Sequence, residues 1–261
     1  MPRRTRTAAG PMRDKVVLVT RPKEQSAALV RELRALGARP IVAPAIAIVP
    51  ARSAALTAAL RDLERGGFAW VTLTSRATVA MLRDRLDRPR DVRAKVAVIG
   101  EGTAEEFRRW ARRDPDLVPP TFTTTGLARA FPRGSGRVLC ARADIAPEGL
   151  EDALAAKGWE PTRVDAYRTR FPRSLPPDAR NALRDGTVDA VTFTSASTVR
   201  GFVHALGRVR GTPKVVCIGP VTAAEARDHG FTVAAVARPH TADGVIAALE
   251  RVFARARGGR G

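Results

Sequence analysis

From Lys15 to about Val252, short apolar runs bounded by turn residues alternate with longer segments in which apolar residues return every three or four positions. The runs read as buried strands and the longer segments as amphipathic helices. "KVVLVT" (15–20) predicts a strand, "KEQSAALVRELRALG" (23–37) a helix closed by Gly37, and "RPIVA" (39–43) a second strand. Strand, helix and strand in that order predict a parallel sheet covered by helices, one step of a doubly wound α/β fold.

The same pattern is written twice. "VTLTSRATV" begins at Val71 and "VTFTSASTV" at Val191, an offset of 120, while "KVAVIGEGTAEEF" at Lys95 and "KVVCIGPVTAAEA" at Lys214 differ by 119. Val17 of "VVLVTR" and Val138 of "RVLCAR" differ by 121, and Gly126 of "TTTGLARAF" and Gly244 of "TADGVIAAL" by 118. Four segments in one order at one near-constant shift predict a tandem duplication.

Where the repeats divide into folded bodies follows from their joints. "APAIAIVPARS" (43–53) and "AYRTRFPRSLPP" (166–177) are extended and carry Pro, whereas only "PRGSGR" joins one repeat to the next. Extended Pro-bearing joints separate bodies and short ones keep neighbours together. The expected partition is a discontinuous domain of 15–45 plus 174–256, a continuous domain of 53–166, and interdomain linkers at 46–52 and 167–173. Residues 1–14 are expected as a basic disordered arm and 257–261 as a disordered tail. Two linkers crossing between two domains would leave a cleft able to open and close.

Composition narrows the picture. Hydrophobic residues make up 44% of the 261 but aromatics only 5%, so the core must rest on Val, Leu, Ile and Ala, as in helix-covered sheets. No apolar run is long enough to span a membrane, and "MPRRTRTAAGPMRDK" holds no signal-peptide core, so a cytoplasmic protein without membrane contact is expected. Cys140 and Cys217 fall inside strand patterns and share no ligand spacing with His204, His229 or His240, so they read as core thiols and no metal site is expected. The net charge of +19 comes from 45 basic against 26 acidic residues, partly in tails; it suits a basic surface, nucleic acid or a strongly anionic small substrate. Charge alone does not separate these three.

In open parallel sheets, ligands sit at the carboxyl ends of the strands, where the next helix presents unpaired N–H groups. Each repeated signature falls at such an end: Thr74 and Ser75, Thr194 and Ser195, Gly100, Gly102 and Thr103, Gly219 and Thr222. Thr124, Thr125 and Gly126 open a further helix, answered by Thr241 and Gly244. Taken singly, each is an ordinary helix cap or turn residue. Their recurrence without a buried acid or base among them points to an array of hydroxyls and amides suited to carboxylates or phosphates. "GEGTAEEF" is neither GxGxxG nor a Walker loop, and GxSxG is absent, which excludes the common nucleotide loops and the hydrolase elbow. Tyr167, the only tyrosine, begins the second linker and is expected at the mouth of the cleft. Its phenol could cover the hinge or donate a proton to a leaving hydroxyl.

The ordered set "VLVTRP", "TLTSRATV", "VAVIGEGTAEEF", "LCARADIAPEGLEDALAAKGWEPTRVDAYRT", "VDAVTFTSASTV", "VCIGPVTAAEARDHG" and "PHTADGVIAAL" resembles the uroporphyrinogen-III synthase family over nearly all of residues 15 to 250. The resemblance implies two flavodoxin-like parallel-sheet domains joined by a two-stranded linker. It implies a cofactor-free cyclisation of hydroxymethylbilane, with loss of water and inversion of the last pyrrole ring. Tyr167 then matches the tyrosine that assists hydroxyl departure. Ser75, Thr103, Ser195, Ser197 and Thr222 match polar positions lining the cleft, with Arg21 and Lys214 as carboxylate neighbours. The substrate implied is a polycarboxylate tetrapyrrole, the protein a monomer, and hand-over from hydroxymethylbilane synthase the partner contact. The first-half strand end departs from the family: "FAWVTLTSRAT" lacks Tyr-Asp before the strand and has Arg76 where Pro or Asn is usual. A non-catalytic ligand sensor would share the cleft without needing Tyr167, and a nucleic-acid-binding protein would need a recognition motif that is absent.

Overall fold

The computed structural model describes residues 10–86, 92–207 and 211–258. The chain leaves a first compact unit after Ala47 and re-enters it at Arg170, so that the second unit is the continuous stretch Ile48–Thr169. The strands in chain order are β1 (Val16–Val19), β2 (Arg39–Val42), β3 (Ala47–Pro50), β4 (Trp70–Leu73), β5 (Lys95–Val98), β6 (Arg137–Ala143), β7 (Glu160–Arg170), β8 (Ala190–Phe193), β9 (Lys214–Cys217) and β10 (Val233–Val236). The helices are α1 (Lys23–Ala35), α2 (Ala54–Glu64), α3 (Arg76–Arg85), α4 (Glu101–Ala111), α5 (Thr124–Ala130), α6 (Leu150–Ala155), α7 (Pro177–Arg184), α8 (Ala196–Ala205), α9 (Pro220–Asp228) and α10 (Ala242–Gly258).

The first unit holds a sheet in the order β10, β9, β8, β1, β2, and each neighbouring pair runs parallel. Counted along the chain within that unit, this is the 2-1-3-4-5 order of the flavodoxin-like fold. The second unit orders its strands β3, β7, β6, β4, β5, with β7, β6, β4 and β5 parallel. The sequence repeat equates β1 with β6, β4 with β8 and β5 with β9. In each unit, therefore, the opening strand of one repeat lies beside a later strand of the other. Leu117 forms a parallel bridge to Ala97 beside β5, the place that β10 takes beside β9. This correspondence is consistent with a duplication whose halves are shared between the two units; β3 is an addition at the far edge.

Four-residue strands buried on both faces explain the apolar runs. Successive side chains point to opposite faces. Val17 and Val19 pack with Leu29 and Leu33 of α1 and Leu249 and Phe253 of α10. Leu18 packs on the other face with Val199 and Phe202 of α8. In the second unit Val71 and Leu73 meet Leu63, Leu82 and Phe107, while Trp70 meets Leu127, Phe131 and Leu154. Each such burial contributes about 1.5–3 kcal/mol. Cys140 and Cys217 are fully buried free thiols, and burial pushes both up to about 12.

Three boundaries differ from expectation. Residues 10–14, assigned to a disordered arm, form a turn in which Met12 is fully buried in the first unit's core and the Asp14 amide donates to Gly37 O at 2.8 Å. An apolar side chain four residues before a helix-covered strand finds the core even when the residues that follow it are charged. The last helix runs through Gly258, past the expected start of the tail at 257; residues 1–9 and 259–261 of the arm and tail lie outside the described residues. The linkers expected at 46–52 and 167–173 are largely strand: β3 covers Ala47–Pro50 and β7 continues to Arg170. Val164, Ala166 and Thr169 keep turning inward while Arg168 and Arg170 face solvent, so β7 persists through residues too polar to read as a strand.

Gly126 and Gly244 occupy equivalent positions for a packing reason. A Cβ on either would drive into a backbone carbonyl oxygen, that of Thr121 or Pro239. Gly126→Ala and Gly244→Ala are each expected to lower stability by about 2 kcal/mol in urea unfolding. Gly207→Ala, which meets nothing within 4 Å, is expected to leave it unchanged; equal midpoints for all three would refute the packing account.

Candidate active site

In the second unit, β4 is buried at all four positions, and the first polar residues after it are Thr74 and Ser75. Ser75 takes an extended conformation and caps α3, its Oγ accepting from the Thr78 amide at 3.1 Å. That same oxygen accepts the Tyr167 phenol proton at 3.0 Å and lies 3.0 Å from the Thr78 hydroxyl. Tyr167 reaches Ser75 from within β7, where it is paired with Ala143 and its carbonyl accepts from the Asp144 amide at 3.1 Å. It is thus a sheet residue of the second unit, not the linker residue expected. The reason is the persistence of β7, helped by a register shift between Arg142 and Ala143.

Burial pushes the Tyr167 phenol up from its ordinary value; the Ser75 hydrogen bond opposes this, the Asp144 carboxylate adds to it, and the Arg142 guanidinium opposes it. Arg142 is 1% exposed on β6, with Nη1 donating to both carboxylate oxygens of Glu151 at 3.1 and 2.9 Å. Asp144 is held by the Ile145 and Thr169 amides. None of these groups stood out in the sequence, because a charged residue reads as surface until its partner is placed.

The next strand end continues the site. Gly100 precedes α4, Gly102 is its second residue, and Thr103 is buried with its amide on Gly100 O at 3.0 Å. Arg76 donates from Nε to Gly102 O at 3.0 Å, joining the N-termini of α3 and α4. Phe122, 47% exposed, lies against Gly100, where a Cβ would come within 2.7 Å of its ring. Thr123 caps α5 through the Gly126 amide at 2.9 Å; Thr125 is exposed and Gly126 buried.

The first unit repeats the motif with different partners. Ser195 caps α8 in a reciprocal capping box with Thr198, and its Oγ lies 2.9 Å from that of Ser197. The Thr194 amide donates to the Thr198 hydroxyl at 3.2 Å. Thr222 is buried in the first turn of α9, and Arg21, 7% exposed, follows β1. His240 takes the place of Phe122, with Nδ1 donating towards the carbonyls of Ala237 and Ile218 at 2.9 and 3.0 Å. Lys214 does not join this group. It is the first residue of β9, and since the sheet is parallel it lies at the amino edge, roughly 10 Å of strand from the carboxyl ends. Its amide serves Asp189 O in the strand ladder. Among the described residues no group of three or more His, Cys, Asp or Glu could hold a metal ion.

The fold and these strand ends define a class: paired parallel α/β units whose carboxyl edges offer hydroxyls, amides and a single phenol. The family model for "Uroporphyrinogen-III synthase HemD" matches residues 27–247. The uroporphyrinogen-III synthase of Synechococcus elongatus is 30% identical, covering 94% of this chain and 97% of its own. A putative uroporphyrinogen-III synthase of Methanothermobacter thermautotrophicus is 34% identical, covering 88% and 96%. The chain belongs to the uroporphyrinogen-III synthase family. A crystal structure of a mutant uroporphyrinogen III synthase from Thermus thermophilus matches with a TM-score of 0.65 at 21% identity, over 93% of this chain and 99% of that one. The Helicobacter pylori uroporphyrinogen-III synthetase structure gives 0.58 at 14% identity, over 90% and 97%. At these identities the two structures speak for the fold.

Because Tyr167 is the only tyrosine, the absorbance step of phenolate formation reports it alone. The native midpoint is expected above the ordinary 10.0, returning there in denaturant, and Ser75→Ala is expected to raise it further. A native phenol that holds its proton more tightly than the unfolded one stabilises the fold fully below pH 10.0, and that contribution is lost as pH rises towards the raised native value. A native midpoint at or below 10.0 would contradict the burial of the phenol.

Proposed function

We propose that this chain cyclises hydroxymethylbilane to uroporphyrinogen III, expelling water and inverting the terminal pyrrole ring, as a step of tetrapyrrole biosynthesis. The observation that carries this reading to the residues is the Tyr167–Ser75 hydrogen bond at a hydroxyl-lined strand end, in a chain that belongs to the synthase family.

The hydroxyl of the terminal hydroxymethyl group leaves as its C–O bond breaks, and the methylene carbon stays on the pyrrole. The pyrrole supplies the electrons, and the departing oxygen takes a proton to become water. Tyr167 is the donor we assign to that oxygen: its single proton, which is donated to Ser75 Oγ in the free protein, turns to the leaving oxygen when substrate is bound. The electron-deficient carbon so formed is attacked by the substituted carbon of the last ring, giving a spiro intermediate whose fragmentation and reclosure invert that ring. The competing head-to-tail closure needs no enzyme, so the protein's task is chiefly orientation. Amides and hydroxyls at Thr74, Ser75, Gly102, Thr103, Thr125, Thr194, Ser195, Ser197 and Thr222, with Arg21, are the groups we assign to the acetate and propionate rim. Lys214 is not retained in this set. The reaction as written draws on no cofactor.

Closure of the two units over the substrate, a monomeric state, a cytoplasmic location and receipt of the bilane from hydroxymethylbilane synthase belong to the same proposal. Among the described residues no helix is long and apolar enough to cross a membrane. The ligand-sensor reading loses ground because a sensor has no need of a phenol held at the strand end.

Supplied with freshly made hydroxymethylbilane, the protein is expected to yield the type III isomer. Formation of the type I isomer alone would refute the synthase reading. Tyr167→Phe is expected to lower kcat by about 10²-fold, the scale of a lost general acid, with a smaller effect on product affinity; unchanged turnover would remove the donor role.

A further inference from the structure

The second unit carries at its strand ends a charged side chain, without a carboxylate partner among the described residues, that the cyclisation chemistry has not used. Arg76 is the first residue of α3, half-buried, between Ser75 and the opening turn of α4. Arg108, a half-buried arginine of α4, pairs with Glu101 and Asp114. Arg76 has no ion pair among the described residues. Its Nε is fixed on the Gly102 carbonyl at 3.0 Å, and its two terminal amino groups donate to nothing among the described residues. A guanidinium braced through Nε keeps a planar pair of donors free for a bidentate acceptor.

The duplication supplies an independent comparison. Arg76 corresponds to Ala196 and Gly102 to Val221. A Cβ at Gly102 would lie 2.8 Å from an Arg76 amino nitrogen, so a larger residue there would displace the guanidinium from this position. In the first unit neither is present, and Val221 is 58% exposed at the matching place. The arginine and the glycine that admits it are thus a matched exchange confined to one unit. Phe122, exposed over Gly100, adds an apolar ring beside them where the first unit has His240.

We propose that Arg76 is a specificity-determining substrate contact, taking one carboxylate of the tetrapyrrole rim on its two terminal amino groups, with the adjoining pyrrole against Phe122. This rests on the reading that the strand ends of the second unit bind the tetrapyrrole. It gives the two units unequal parts: in the second an arginine at the joined N-termini of α3 and α4 takes a carboxylate, where the first offers only hydroxyls and amides at the matching place.

The test is the affinity for uroporphyrin III, the oxidised and stable form of the product, followed by fluorescence, beside KM for hydroxymethylbilane. Arg76→Ala is expected to weaken binding about tenfold, equivalent to ~1.4 kcal/mol, and to raise KM more than it lowers kcat. Arg76→Lys should recover part of the affinity, since a point charge replaces the fork. Gly102→Ala should weaken binding by pushing the guanidinium aside without touching backbone. If Arg76→Ala fails to fold by circular dichroism, Arg76→Gln, which can keep the bond to Gly102 O, takes its place. Affinity unchanged in the Arg76 and Gly102 variants, while Ser75→Ala and Thr103→Val weaken it, overturns the role of Arg76 and leaves the strand-end site standing. Affinity unchanged in all of them overturns both.

Discussion

A four-residue parallel strand gives the chain one way out. β4 and β8 are buried from end to end, so the residue after each must leave the sheet and start a helix that covers it. The first helical amides have no partner within the helix, and a serine in extended conformation supplies one. Ser75 and Ser195 do this with nearly the same backbone, φ −163° and −167°. At these two strand ends the polar arrangement depends on that cap, because its oxygen is where the hydroxyls of Tyr167, Thr78 and Ser197 gather.

From a common cap the two units then diverge. Ser75 Oγ receives the phenol of Tyr167, and Ala77 leaves the next position empty of polar groups; Ser195 Oγ instead has Ser197 beside it. Beyond its amide, each cap oxygen has hydroxyl partners at 2.9–3.0 Å: Tyr167 from another strand and Thr78 from α3 in one unit, Ser197 from α8 in the other. Duplication gives two equivalent places. Substitution at Ala77/Ser197, Arg76/Ala196 and Phe122/His240 makes them chemically distinct, as an asymmetric, linear substrate would require.

Much of the fold was legible because short apolar runs and 3.6-residue periods are local signals. The strand at Val16–Val19, the helix closed near Gly37 and the strand at Arg39–Val42 follow from composition within a dozen residues. The repeat made the strand ends legible as a set. What stayed hidden depends on pairing: Tyr167 and Ser75 stand 92 positions apart, and Arg142 is buried only because Glu151 neutralises it. Lys214 entered only through the family resemblance; like Lys95 it opens a strand, and a repeat marks equivalence between units and not proximity to a site. Both lysines sit at the amino ends of their strands. Glycine at 126 and 244 was read with the site, but the carbonyls of Thr121 and Pro239 are reason enough for it.

The electrostatics around Tyr167 fit the task assigned to it. A phenol raised by burial is a weaker acid than tyrosine in water, which argues against full proton transfer in the resting enzyme. It is, however, reliably protonated, and its hydrogen bond is aimed by Ser75 instead of by solvent. Departure of hydroxide from an electron-rich pyrrole is already driven from the ring side, so a positioned donor that strengthens its bond as charge grows on the oxygen is sufficient. Arg142 and Asp144 act on the phenol in opposite directions, which leaves burial as the main cause of its raised value. Selectivity between ring closures then rests on where the polycarboxylate rim is held, the part of the problem that the unequal strand ends of the two units address.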